Sequence, residues 1–165
     1  DAPRASGRTF GVEASFRRAV TRRVGAVATY TLSRSERTVE GQTFVSRFDR
    51  THVVNAAVSV VAGRGWTLGA RSLFYTGLPL YLASPEGTDT MRRADPSRTA
   101  PFVRLDLRAE RRWALTDGAW VSLVVEVMNA TLSRERLPFK CDQTSCADQV
   151  VGPVVVPSVG AEAGF

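Results

Sequence analysis

The sequence predicts an all-β protein whose strands form part of an antiparallel transmembrane β-barrel. Three observations lead to this fold class. Apolar residues recur at every second position in about seven segments along the chain, which is the period of a strand with two different faces. The connections between these segments alternate in length, and large aromatic residues concentrate at the segment ends. Both features are typical of outer-membrane barrels.

Four of the predicted strands lie in the first half of the chain. They span residues 9–17, 24–33, 51–61 and 66–76. In the first, Phe10, Val12, Ala14 and Phe16 alternate with smaller or polar residues. The other three show the same alternation, so each strand is expected to present one apolar face.

The remaining three predicted strands span residues 102–111, 120–128 and 159–165. The strand at 102–111 alternates most strictly. Its two faces are Val103, Leu105, Leu107 and Ala109 on one side and Arg104, Asp106, Arg108 and Glu110 on the other. Repeated charges on the second face fit a water-filled barrel interior better than a dry protein core.

The connections are short at one end of the predicted sheet and long at the other. Short links hold residues 18–23, Gly63-Arg64-Gly65 and Thr116-Asp117-Gly118, whereas residues 34–50, 77–100 and 130–157 form long stretches. Outer-membrane barrels have short periplasmic turns and long extracellular loops. The short links are therefore predicted to be periplasmic.

Aromatic residues mark both predicted membrane boundaries. The predicted periplasmic girdle consists of Trp66, Trp113, Trp120 and Phe165. Near the opposite ends of the strands lie Phe10, Tyr30, Phe74, Tyr75 and Phe102. Two such belts are expected where strands cross a bilayer.

Composition and charge exclude several other classes. The formal net charge is +6, yet the basic residues form no long block, and no RNA-binding, zinc-finger or helix-turn-helix motif is present. We therefore expect no nucleic-acid partner. No apolar run reaches the roughly 18 residues that a transmembrane helix needs. The hydrophobic fraction of 44% fits a soluble domain and a barrel equally well.

The chain resembles the carboxy-terminal part of the barrel of TonB-dependent outer-membrane receptors. The resemblance covers nearly all of the sequence, in the segments FGVEASFRR, ATYTLSRSER, FDRTHVVNAAVSV, WTLGARSLFYTGLPLY, FVRLDLRAERRW, VVEVMNAT and PSVGAEAGF. The most specific pieces are Phe-Asp-Arg-x-His at residues 48–52 and Thr-Gly-x-Pro at residues 76–79.

The resemblance implies a 22-stranded barrel in the outer membrane of a Gram-negative bacterium, importing a scarce ligand such as an iron chelate, cobalamin or an oligomer. It also implies a plug domain inside the barrel, energy supplied through TonB, and recognition of the terminal Phe165 by the barrel assembly machinery. Residues 1–165 have no plug and too few strands to close such a barrel. We therefore expect the chain to be a fragment of such a barrel. The plug and the remaining strands would belong to a companion polypeptide, either a separate or a cleaved chain, or to a part of the protein that residues 1–165 do not include.

Charged residues on the predicted interior face are candidates for contact with the plug or the substrate. They are Glu13, Arg71, Arg104, Asp106, Arg108, Glu126 and Glu162. The simpler interpretation, which we favour for most of them, is mutual ion pairing along the barrel wall.

The sequence predicts neither catalysis nor a bound cofactor or metal ion. It contains no nucleophile-base-acid set, no carboxylate pair and no glycine-rich phosphate loop, and His52 stands alone at a strand start. Cys141 and Cys146 enclose four residues of a predicted extracellular loop, where oxidising conditions favour a disulfide. A metal site is the alternative, although two thiols make a poor tetrahedral set.

Two other functions compete with the transporter. A small outer-membrane barrel with a structural or adhesive role would contain one further strand. A soluble β-sandwich that binds a ligand would place the aromatic residues in its core.

Overall fold

A computed structural model describes residues 5–19, 21–39, 41–80, 97–141 and 146–165, with backbone alone at residues 5, 139–141 and 146–148. The strands are β1 (Ala5–Ala19), β2 (Val24–Val39), β3 (Gln42–Val45), β4 (His52–Gly63), β5 (Trp66–Tyr75), β6 (Phe102–Ala114), β7 (Trp120–Met128), β8 (Glu135–Cys141), β9 (Cys146–Val151) and β10 (Val156–Gly164). A 3-10 turn, Thr116–Gly118, links β6 to β7. No helix within these ranges is long and apolar enough to cross a membrane.

The long strands form one antiparallel sheet in the order β1-β2-β4-β5-β6-β7-β10, and β3 adds to β2. Strands β8 and β9 form a separate two-stranded sheet. This confirms the predicted all-β class and the order of the seven predicted strands. Among the described residues β1 and β10 pair on one side only, so the sheet is open and a closed barrel is not formed.

Three strands lie in stretches that the sequence analysis treated as irregular, and the prediction was wrong there. β3 lies within residues 34–50, and the β8–β9 hairpin lies within residues 130–157. β2 was expected to end at residue 33 but continues to Val39, where it turns into β3 through Gly41 with φ of +79°. Residues 34–38 of β2 are polar on both sides, and β3, β8 and β9 have only four, seven and six residues. None of these segments shows the long alternation that identified the other strands.

The first two strands reach well beyond the rest of the sheet. β2 pairs with β4 only as far as Leu32 and His52, whereas β1 and β2 remain paired up to Ala5 and Val39. Residues 33–39 and their partners 5–11 therefore form a two-stranded extension about 23 Å long, at roughly 3.3 Å per residue, to which β3 adds alongside residues 36–39. We call it the outer ribbon. Polar cross-strand pairs hold it, including Arg8 to Glu36 at 2.7 Å.

The strand register separates apolar and charged side chains onto opposite faces of the whole sheet. One row of directly paired residues runs Ala14, Tyr30, Val54, Phe74 and Val103 across five strands. Another, on the opposite side, runs Gly69, Arg108, Glu126 and Ser158. Because directly paired residues point the same way, the predicted apolar halves of all seven strands share one side. We call the two sides the apolar face and the charged face.

The sheet carries little buried apolar core. Among the described residues, the buried hydrophobic side chains are Val45 and Val124. Large apolar side chains on the apolar face are exposed instead, among them Phe10, Val12, Phe16, Val103, Leu107 and Val159. The described part of the chain therefore places no second layer over this face.

The short link between β4 and β5 depends on glycine at one position. Gly65 has φ of +81°, and a Cβ there would collide with the carbonyl of Arg112. The amide N–H of Arg112 donates to the carbonyl of Gly65 at 2.8 Å. This close approach joins the β4–β5 link to β6 and aligns the short-link end of the sheet.

Candidate functional site

All seven predicted interior residues lie on the charged face. The register pairs Arg71 with Asp106, Arg108 with Glu126, and Glu13 with Thr31. Arg104, Asp106 and Arg108 share this face because they alternate along β6. The structure thus brings six of them together on β5, β6, β7 and β10, and leaves Glu13 apart on β1.

Arg108 is the centre of the charged face. Its guanidinium contacts the Oε1 atom of Glu126 at 2.5 Å, the Oε2 atom of Glu110 at 3.3 Å and the Oε1 atom of Glu162 at 3.5 Å. The side chains of Arg108 and Glu126 are 40% and 44% exposed. Water therefore screens this ion pair, whose expected contribution to stability is about 0–1 kcal/mol.

A second ion pair lies closer to the long-connection end. The Nε atom of Arg104 lies 3.0 Å from the Oδ1 atom of Asp106, and that same oxygen accepts the amide N–H of Asn129 at 2.9 Å. Asn129 is buried, and its side chain bonds the carbonyls of Ser133 and Val154. The charged face is thus tied to the turn that follows β7.

The charged face holds a concave region of about 430 Å³. Its polar lining includes Arg71, Arg104, Asp106, Arg108, Glu126 and Ser158. Among the described residues, Arg71 and Glu13 form no ion pair. Arg71 and Glu13 are therefore available to a charged group that meets this face.

A further cluster, which the sequence analysis did not predict, joins two long connections. Asp49 is 1% exposed. Its carboxylate accepts the amide N–H of Ser35 at 2.6 Å, the hydroxyl of Thr51 at 3.0 Å and the guanidinium of Arg98 at 2.5 Å. Arg98 also donates to the carbonyls of Asp49 and Gly77, at 2.9 Å and 3.0 Å. We call Asp49, Arg98 and Gly77 the loop-base cluster.

The loop-base cluster unites the two most specific segments of the family resemblance. Asp49 belongs to Phe-Asp-Arg-x-His and Gly77 to Thr-Gly-x-Pro. The backbone of Gly77 lies so close to the carbonyl of Thr99 that a side chain would not fit. The two motifs could be seen in the sequence, but Arg98 could not be recognised as their partner. It is 49 residues from Asp49, and no local sequence pattern marks it.

Next to this cluster, Arg50 connects three elements. Its guanidinium lies 3.8 Å from the centre of the Tyr75 ring and 3.0 Å from the Oε1 atom of Glu135 at the start of β8. It also donates to the carbonyl of Thr76. Arg50 therefore attaches the β8–β9 hairpin to the long-connection end of the sheet.

His52 has a structural role in this arrangement. Its Nδ1 atom lies 2.9 Å from the hydroxyl of Tyr30, and the two rings stack at 6.1 Å. Among the described residues, no group of three or more His, Cys, Asp or Glu side chains could hold a metal ion.

The predicted aromatic girdle lies at the short-link end of the sheet. Trp66 begins β5, Trp113 lies near the end of β6, and Trp120 begins β7. Phe165 follows β10 at the same end and is fully exposed. Trp120 pairs with Ala114 and Gly164, so it lies on the charged face. Trp66 and Trp113 lie on the apolar face, and the alternation of β10 assigns Phe165 to that face as well.

The two cysteines occupy facing positions at the tip of the β8–β9 hairpin. The register pairs Cys141 with Cys146. Their side chains and residues 142–145 lie outside the described part of the structure. The disulfide stays a prediction.

The comparisons with known proteins identify no relative. No protein-family model, curated protein or solved structure matches the chain.

Proposed function

We propose that the chain is the carboxy-terminal part of the barrel of a TonB-dependent outer-membrane receptor that imports a scarce ligand. The single observation that carries this proposal is the separation of apolar and charged side chains onto opposite faces of one continuous sheet. In the proposal, the apolar face contacts lipid and the charged face lines a water-filled interior.

Exposure of the apolar face supports the membrane environment. At least fourteen large apolar or aromatic side chains are exposed on the apolar face. In a soluble protein they would form an apolar surface far larger than the few hundred Å² that monomers usually expose. Those on the apolar face include Phe10, Val12, Tyr30, Leu68, Leu107 and Leu123. In a bilayer the same surface contacts acyl chains at no such cost.

The open edges support the presence of further strands. Unpaired N–H and C=O groups cost several kcal/mol each in hydrocarbon, and β1 and β10 each have one unpaired side among the described residues. We infer that further strands and the plug come from a companion polypeptide or from another part of the same protein. In this account TonB acts through that plug, and the assembly machinery recognises Phe165 on the last strand.

Two observations disfavour the competing functions. A soluble β-sandwich buries the facing sides of two sheets, whereas the only partner sheet in the described residues is the small β8–β9 hairpin. A small adhesion barrel requires β1 and the last strand to close on each other. The described strands make no such pairing.

Expression of residues 1–165 in an outer membrane, with and without the companion, tests the proposal. We expect protease resistance and heat-modifiable migration only when both are present, and binding of the assembled particle to TonB. A monodisperse, heat-modifiable barrel from residues 1–165 alone would support the small adhesion barrel instead. A stable, water-soluble monomer without detergent would support the sandwich.

A further inference from the structure

Arg111 occupies an unusual position on the apolar face. The register places it between Trp66 of β5 and Leu123 of β7, on the side that carries mostly apolar residues. Its guanidinium carbon lies 5.5 Å from the centre of the Trp66 ring and 5.7 Å from that of Trp113. Both distances fall within the range of a cation–π contact, so two indoles hold this cation in place.

Arg111 lacks an acidic partner within the described residues. Its neighbours on the charged face differ in this respect, since Arg108 contacts three carboxylates and Arg112 lies 3.6 Å from the Oε1 atom of Glu110. A guanidinium carries five N–H donors in a planar fork that matches the oxygens of a phosphate. The aromatic contacts leave those edge donors available to an anion.

The position of Arg111 along the strand indicates which anion it meets. It lies near the end of β6, close to the turn that leads to β7, beside Trp66 at the start of β5 and Trp113 near the end of β6. Arg64 in the β4–β5 link adds a second positive charge at this end. In a bilayer, tryptophans lie at the level of the headgroups, where the phosphates of lipids lie as well.

We propose that Arg111, Trp66 and Trp113 form a binding site for the headgroup phosphate of an anionic phospholipid, whose acyl chains lie along the apolar face. This inference rests on the proposed membrane orientation and adds a specific lipid contact to it. The guanidinium binds the phosphate, and the two indoles flank the headgroup from either side. A free phosphate ion would lack the acyl chains that bring the lipid to this face.

The chain offers a matched control at the next residue. Arg112 carries the same charge at the same end of β6 and also stacks on a tryptophan, at 3.8 Å from the centre of Trp120. It belongs to the opposite, charged face, because Arg112 pairs with Ser122. R111Q and R112Q therefore remove the same net charge from opposite faces. R111Q removes two tryptophan contacts, whereas R112Q removes one tryptophan contact and the ion pair with Glu110.

Lipid retention by the assembled particle, measured by native mass spectrometry, tests the site. The probes are phosphatidylglycerol, phosphatidylcholine and glycerol 3-phosphate. We expect R111Q to weaken phosphatidylglycerol binding about fivefold, the equivalent of about 1 kcal/mol for one basic side chain near anionic lipid. R112Q should bind as the wild type does, and glycerol 3-phosphate should not compete. R111K, which keeps the charge but loses the planar fork, should lie between the two and serves if R111Q fails to assemble.

Equal losses in R111Q and R112Q, no loss in R111Q, or competition by glycerol 3-phosphate would each overturn the site. A lipid-phase reagent applied to a Leu105→Cys variant of the same particle separates this result from the proposed function. Labelling of position 105 without a lipid effect of R111Q rejects the phospholipid site alone. Absence of labelling at position 105 rejects the membrane orientation on which both proposals depend.

Discussion

The two faces of β6 differ sharply in their side chains and in what surrounds them. Val103 and Leu107 project from one face and are half exposed, with no described element packed over them. Arg104 and Arg108 project from the other, in ion pairs with Asp106 and Glu126. A single strand thus presents apolar side chains to one environment and paired charges to another. In the proposed orientation, lipid contacts the first face and water the second.

The comparison also shows that polar groups in this protein have two kinds of surroundings. The ion pair of Arg108 and Glu126 is open to water, whereas Asp49 in the loop-base cluster is almost completely buried. Both are arginine–carboxylate pairs, yet their expected contributions to the free energy of unfolding differ strongly because only one is buried. The substitutions below use these differences, beginning with the largest expected effect.

Asp49→Ala should destabilise the long-connection end by about 3–5 kcal/mol, the usual cost of removing one partner of a buried ion pair. The guanidinium of Arg98 and the amide of Ser35 would lose their acceptor. Urea unfolding of the assembled particle in lipid vesicles measures the change. Asp117→Asn, in the exposed turn before β7 with φ of +61°, is the control and should change the unfolding free energy little. Similar values for both variants would contradict the described cluster.

Leu107→Arg should destabilise the assembled particle by about 2–4 kcal/mol, because it places a charge on the apolar face at mid-strand. Ser158→Arg introduces the same side chain on the charged face, beside Glu126, and should be tolerated. The amount of folded particle in the outer membrane and its unfolding free energy report both effects. Equal tolerance of the two arginines would contradict the assignment of the faces.

Glu126→Gln should change the unfolding free energy by less than about 1 kcal/mol, because the ion pair with Arg108 is half exposed. Arg108 retains Glu110 and Glu162 as partners. A loss comparable to that of Asp49→Ala would mean that the charged face is covered and dry in the assembled particle. The measurement therefore indicates how wet the proposed interior is.

The smallest expected effect is a pH dependence of the outer ribbon. Hydrogen bonding to Arg8 lowers the pKa of Glu36 below its ordinary value, with Arg34 acting in the same direction. A carboxyl group whose folded-state pKa is lowered stabilises the ribbon above its ordinary pKa, and this contribution is lost as the pH falls through the folded-state value. Amide hydrogen exchange of residues 33–39 should accelerate slightly in acid, and Glu36→Gln should remove that dependence. An unchanged dependence in the variant would contradict this assignment.

The sequence predicted the sheet well because its signal is local. Each long strand alternates over about ten residues, so the apolar half of β6 could be recognised from Val103, Leu105 and Leu107 alone. The ion pairs of Arg108 followed from the same alternation, since Glu126 and Glu162 carry the same parity on neighbouring strands.

The loop-base cluster and Arg111 were not predicted, for different physical reasons. Asp49 and Arg98 meet only after residues far apart in the chain have folded together, and no periodicity encodes such a contact. Arg111 obeys the period of β6, but the strand was predicted to end at that residue, so its position between Trp66 and Trp113 was not considered. β3, β8 and β9 have only four, seven and six residues, too few to show the long alternation that identified the other strands.

Accessibility of two adjacent positions to a lipid-phase reagent tests the central claim most directly. Leu105→Cys and Asp106→Cys would be placed one residue apart on opposite faces of β6. Because a one-residue shift reverses every side chain of a strand, the two positions lie at nearly the same height along β6 but on opposite faces. We predict that the reagent labels position 105 and spares position 106 in the assembled particle. Labelling of position 106 with protection of position 105, or equal labelling of both, would contradict the account.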